Sequence, residues 1–322
     1  MGGDQMQAAT LGVQQNNRTT PFIKKLMQNF KRYKFIYLLM LPGVLYFLIF
    51  NYYPLYFLTI AFKKFNVFAG FENSPWIGFK NFQELFNTKY FLQSLNNTVI
   101  LSFMYKAFGF PAPILLALLL NEIRNRYFKR TVQTLIYMPH FLSWVIVGGI
   151  WLTLLSPEGG LVNEILRLFG VEPIFFAAEN KLFRWVITFT NVWKEAGWGT
   201  IIYLAAISGI DQDMYEAATI DGASKLQQAK HITLPSIIPT IIVVFILGLA
   251  KVLDLFEQVF VMYNPVVAEV SETIDTYVYQ IGLVKGDMSF ATAVGLFKNI
   301  VSLILVLATR KIANKLQGSS VM

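Results

Sequence analysis

The sequence predicts an all-α membrane protein that crosses the bilayer about six times. Three observations predict it. Hydrophobic residues fill 55% of the 322 positions and charged residues only 14%, and mean hydropathy is +0.50. That balance excludes a disordered chain and an ordinary soluble domain. Six apolar runs, at about 35–62, 95–120, 131–155, 185–208, 236–253 and 290–309, each approach the roughly 20 residues a spanning helix needs. Lys and Arg are unevenly shared between the intervening segments, as in the loops of a multi-pass protein.

In chain order, residues 1–20 are rich in Gln, Asn, Thr and Gly, and read as a disordered tail without the apolar core of a signal peptide. Residues 21–34 read as a basic interfacial helix. Phe22, Leu26, Phe30 and Tyr33 share a face, and Lys24, Lys25, Lys31, Arg32 and Lys34 supply charge for anionic lipid. A transmembrane domain, 35–315, follows. Pro42 and Pro54 are expected to kink its first run or end it outside the bilayer. Pro111 and Pro113 lie in the second run, and His140 follows Pro139 at an expected kink in the third. Ala196, Gly197 and Gly199 are expected to loosen the fourth.

The side holding both termini carries fifteen Lys and Arg and six acids; the other side carries eight and twelve. The termini are therefore expected in the cytoplasm. The net charge of +8 reflects this orientation and four lysines inside the runs, not a nucleic-acid face. Glu269 and Glu272, in an outer loop, are expected to form a solvated face. Cysteine is absent, which excludes disulfides and thiolate sites. His140 and His231 stand apart and no HExxH occurs, so no metal site is expected. No GxxxxGK[ST] phosphate loop occurs either, so ATP is not expected to bind in that way.

The segment from Asp211 to Pro239 carries the most helix punctuation. Asp213 to Glu216 has the form of a capping box, Gly222 suits a left-handed helix end, and Ser224 to Gln227 forms a second box. Two short helices are expected, fixed at their ends by Asp211 and by Pro235, which cannot continue the second. Glu216-Ala217-Ala218, Gly222 and the Ile232-x-Leu234-Pro235 end resemble the EAA loop of permeases in binding-protein-dependent ABC importers, carbohydrate-uptake branch. Trp76 to Phe82, Gly159 to Asn163, Ile274 to Leu283 and Ala291 to Lys298 extend the likeness, the last two toward an LplB-like subgroup associated with oligosaccharides from pectin or alginate. The resemblance implies the type I importer permease fold and the bacterial plasma (inner) membrane. It also implies a second permease, two ATPases that bind ATP and Mg²⁺, and an extracytoplasmic solute-binding protein. This chain is then no enzyme and holds no cofactor. Coupling to an ATPase falls on the loop 211–235: Glu216 as charged contact or as cap, Ala217, Ala218, Ile220 and Leu226 packing in the ATPase groove, with Asp221, Gly222, Leu234 and Pro235 completing the motif.

Five charges fall inside apolar runs: Lys106, Lys194, Glu195, Lys251 and Lys298. Each costs about 2.5–3.5 kcal/mol at a span centre and so needs a partner or water. Lys194 and Glu195, about 100° apart, are not expected to share a face. Two readings follow. Trp193, Lys194, Glu195, Trp198 and Lys251 border a path for sugar rings and uronates, or Glu195 pairs with Lys106 or Lys298 to lock the bundle. An ion-coupled transporter or channel is the alternative function; the inverted repeats it favours are not apparent.

Overall fold

The computed structural model describes residues 32–317, with side chains for 32–311. The expected tail and most of the interfacial helix lie outside the described residues. Among those described, regular structure is helical apart from one isolated antiparallel bridge, Lys63–Trp76.

The chain divides into two units, Met1–Phe57 and Leu58–Met322. In the first, α1 (Lys34–Phe47) passes into a π turn, Leu48–Tyr52, and a 3₁₀ stretch, Tyr53–Phe62, whose last residues open the second unit. Neither proline ends this helix, which runs 29 residues from Lys34 to Phe62. Pro54 lacks an N–H and crowds the carbonyl four residues back, and the wider π turn just before it relieves that crowding.

In the second unit, the segment after Phe62 is pinned by Asn81. Its buried Nδ2 donates to the Ala61 carbonyl at 2.7 Å, and Trp76 stacks on Phe62 at 5.6 Å. Helices α2 (Lys89–Gly109) and α3 (Pro111–Glu122) make one 34-residue run. Pro111 and Pro113 sit in the opening turn of α3, where a missing N–H matters least. The third expected run is not a single helix. Helix α4 (Arg126–Tyr137) and α5 (Trp144–Leu154) meet at 107° around a 3₁₀ turn, Met138–Phe141. Pro139 interrupts the ladder and Ser143, accepting from Ile146 N, caps a new helix in a new direction. Helix α6 (Leu161–Leu168) is tied down by buried Asn163, which donates to the carbonyls of Leu155, Ser156 and Ile174 and accepts from Ile174 N at 2.8 Å.

Helix α7 (Asn180–Ser208) is 29 residues long and unbroken, so Gly197 and Gly199 do not loosen it. They serve close approach instead. A Cβ at Gly197 would overlap the Ile136 carbonyl of α4, and one at Gly199 would lie 2.9 Å from the Pro113 ring. Small residues allow such contacts where lipid removes the hydrophobic drive between helices and dispersion must hold them. The remaining elements are α8 (Gln212–Ile220), α9 (Lys225–Gln228), α10 (Leu234–Leu249), α11 (Phe256–Met262), α12 (Ile274–Tyr279) and α13 (Met288–Gln317). Among the described residues, four runs are long and apolar enough to cross a membrane, and the bent α4–α5 pair makes five. The sixth expected span falls in α7, long enough but loaded with Arg184, Lys194 and Glu195.

Three apolar clusters hold the second unit. Leu101, Phe183, Ile187 and Val259 join α2, α7 and α11; Phe91, Tyr277 and Val294 join α2, α12 and α13; Ala117, Tyr203 and Ile237 join α3, α7 and α10. Polar stitches reinforce them: Asn97 donates to the carbonyls of Glu269 and Glu272 and accepts from Arg184 at 2.7 Å. The expected solvated face divides. Glu269 is exposed, but Glu272 is half-buried, and burial pushes its carboxyl above the usual range against the pull of Lys285.

Gly197→Ala is expected to cost stability at the upper end of the roughly 1–3 kcal/mol typical of overpacking, because the obstructing atom is backbone. Thermal melting of the purified protein reads this. Gly149→Ala is the control expected to change little, since a Cβ there meets nothing within 4 Å.

Candidate functional site

A cavity of about 940 Å³ opens among α2, α3, α7, α10, α11 and the segment joining α10 to α11. Its wall mixes aromatic, amide and charged groups. Buried Gln258 anchors one side: its Nε2 donates to the Ile187 carbonyl at 2.6 Å, and its Oε1 accepts from the Tyr105 hydroxyl at 2.5 Å and Asn191 Nδ2 at 3.3 Å. Lys298 from α13 reaches Asp254 at 2.8 Å and Asp275 at 2.6 Å; Asp275 also accepts from Leu255 N. This triad ties α12 and α13 to the segment after α10.

Of the expected path residues, Glu195 and Lys251 line the cavity, while Trp193, Lys194 and Trp198 lie outside its wall. Lys194 is buried and donates to the His140 carbonyl at 2.7 Å. Its ammonium also lies 5.2 Å from the Trp144 ring centre. Glu195 sits 2.8 Å from His140 Nδ1 and 3.4 Å from Lys194. The adjacent pair therefore meets after all, because both side chains bend toward the turn at His140. Glu195 pairs with neither Lys106 nor Lys298. Trp198 stacks on His140 at 4.6 Å, and Trp193 packs edge-on against Trp151. Residues 194–198 thus clamp the break between α4 and α5 to α7. Tyr105, Asn191, Gln258, Asp254 and Asp275 complete the cavity without having been singled out in the sequence; Asn191, a lone amide within an apolar run, was the available signal.

The second feature is the hairpin 211–235. Its first helix is capped by Asp211, whose Oδ1 accepts from Asp213 N at 3.0 Å, not by Asp213. Asp211 holds the extended conformation a cap requires, and Asp213 falls in the first turn. Glu216 is thereby released from capping. It is exposed, and its carboxylate makes no hydrogen bond or ion pair among the described residues. Gly222 takes φ +79, and the pair Ala223 N to Ala218 O and Gly222 N to Thr219 O closes a Schellman end. Ser224 and Gln227 form the expected capping box. Gln228 Nε2 to Thr219 Oγ1 and Tyr215 to Thr233, each 2.9 Å, stitch the two arms. Ile220 and Leu226 are 87% and 80% exposed. Pro235 does not stop the second arm. A π turn, Ala229–Thr233, opens before it, so one helix runs from Lys225 to Leu249. Leu234 is partly buried and Pro235 exposed.

A many-helix membrane bundle with an inner charged cavity and an exposed helical hairpin fits the permease that the sequence resembles. The chain belongs to the family described as binding-protein-dependent transport system inner membrane component, whose model matches residues 109–317. It is a multi-pass membrane transport subunit, not an enzyme. It is 47% identical over 293 residues to the polygalacturonan/rhamnogalacturonan transport system permease protein YteP of Bacillus subtilis, covering 91% of each. It is 45% identical over 290 residues to Protein LplB of the same organism, covering 90% of this chain and 91% of that one. It also matches a chain in the crystal structure of a bacterial ABC transporter involved in the import of the acidic polysaccharide alginate. That match has a TM-score of 0.84 and 40% identity and covers 90% of this chain and 99% of the other. A second structure, of the bacterial alginate ABC transporter in complex with an alginate pentasaccharide-bound periplasmic protein, matches with a TM-score of 0.85 and 38% identity, covering 92% and 100%.

Lys298→Met is expected to lower stability by about 3–5 kcal/mol, because it strands the mostly buried Asp275 without a counter-charge. Lys298→Met with Asp275→Asn should recover most of the loss in the same melting measurement.

Proposed function

We propose that this chain passes oligosaccharides released from acidic polysaccharides across a bacterial plasma (inner) membrane by alternating access. It does so with a second permease and two ATPases that bind ATP and Mg²⁺, and receives cargo from an extracytoplasmic binding protein. Both termini and the hairpin face the cytoplasm, the side richer in Lys and Arg. One observation carries the reading: the helix that leaves the hairpin at Lys225 runs without a break to Leu249, with Val244 and Gly248 on the cavity wall. A continuous helix of 25 residues is up to about 38 Å long, so a displacement of the hairpin is delivered toward the cavity with no loop between to absorb it. The other arm joins α7 through Gly209 and Ile210, a short break that lets the hairpin pivot.

On this reading the hairpin is the handle an ATPase moves. Exposed Ile220 and Leu226 pack in its groove together with Ala217 and Ala218, and free Glu216 meets a basic residue there. An exposed ion pair contributes only about 0.2–1 kcal/mol, so Glu216 sets register more than affinity. Asp221 and Gly222 shape the turn, and Leu234 and Pro235 lead into the lever helix. In the cavity, Glu195 and Lys251 border the cargo path, while Trp193, Lys194 and Trp198 act from behind by holding the α4–α5 break. The cargo class is supported by the named substrates of the relatives, which include polygalacturonan and the acidic polysaccharide alginate.

Gentle extraction of the tagged chain from its native membrane tests the assembly. An ATPase, a second permease and a loaded binding protein are expected by mass spectrometry; a chain that purifies alone and transports by itself would overturn the reading. Gly222→Val tests the handle, since a β-branched residue strains at φ +79. ATP hydrolysis without matched uptake is expected, and unaltered coupling removes the hairpin from this role.

A further inference from the structure

We propose that Lys106 and Lys251 form an intramembrane seat for carboxylates of the cargo, so that the cavity selects uronate groups and not sugar rings alone. This rests on the oligosaccharide reading above and names the chemistry of its cavity. Other membrane cations own internal partners: Lys298 holds Asp254 and Asp275, Lys194 holds Glu195 and the His140 carbonyl, and Arg184 donates to Asn97 and the Val270 carbonyl. Lys106 and Lys251 line the cavity, yet neither ammonium makes a hydrogen bond or ion pair among the described residues. Glu195 is engaged by His140, and the one remaining wall acid, Glu257, pairs with neither lysine among the described residues.

Both lysines lie at one end of α10. Gly248 lies in its last turn, and a Cβ there would sit 2.6 Å from Lys106 Nζ. The missing side chain is what seats Lys106 against α10, and the turn directly after the helix carries Lys251 into the same cavity. A cation kept in an apolar bundle without an internal anion must find one outside the chain or in water. A carboxylate on the cargo supplies it through charge-assisted hydrogen bonds, which a neutral sugar cannot make. Two such groups in a space of about 940 Å³ suit a short acidic oligosaccharide.

The test uses the complete co-purified importer in liposomes with its loaded binding protein, and radiolabelled trigalacturonate or trimannuronate as the probe. Lys106→Gln and Lys251→Gln are each expected to lower uptake at least tenfold while the subunits still co-purify. Lys106→Arg and Lys251→Arg should stay within threefold, and Gly248→Ala should lower uptake about threefold by displacing the Lys106 tip. Glutamine variants within twofold of wild type overturn the inference. So does loss of co-purification, which would assign the lysines to a carboxylate of the second permease. A wild-type importer that carries neither probe overturns the cargo reading itself, before any substitution is made.

Discussion

The close approach of α4 to α7 at Gly197 is the constraint on which the rest of the bundle depends. With no side chain at that position, the Ile136 carbonyl can lie against the α7 backbone. The turn at His140 then falls within reach of Lys194, Glu195 and Trp198. A lysine and a glutamate can be carried through an apolar bundle only because that contact brings them partners. Dispersion between closely packed backbones, not water exclusion, supplies the attraction in lipid. The same segment of α7 then presents Glu195 to the cavity while hiding Lys194.

Charge pairing sorts the membrane residues by role. Lys194, Glu195, Lys298, Asp254 and Asp275 are committed to one another or to backbone, and they hold helices in register. Lys106 and Lys251 are the cations left over on the cavity wall. Gln258 shows the complementary device: a buried amide whose donor and acceptor are both used, so it fixes α11 against α2 and α7 without exposing an unmet group.

The hairpin obeys a different logic. Its arms are stitched to each other by Gln228, Thr219, Tyr215 and Thr233, while its apolar tips at Ile220 and Leu226 are left uncovered. The π turn before Pro235 turns a residue that ordinarily ends helices into part of a continuous rod. The hairpin is thus continuous with a long helix on that side and separated from α7 by a short break on the other.

Much of this was legible in the sequence. Helical class, the positions of most spans, the Gly222 turn and the Ser224 cap follow from local chemistry: apolar run length, a residue free to take positive φ, a hydroxyl beside orphan amides. These signals are short-range, and a few neighbouring residues carry them in full. The 107° break at Pro139, the continuity through Pro235, the cap at Asp211 and the continuity of α7 through its glycines were settled only in three dimensions. In each case the local preference leaves more than one outcome open. A proline can end, bend or merely widen a helix, and a glycine can loosen one helix or admit another. Which outcome prevails depends on packing partners distant in the chain, as does the pairing of Glu195 with His140 across 55 residues. Sequence alone determined which groups are charged within the membrane, and tertiary structure decided which of those charges are already satisfied.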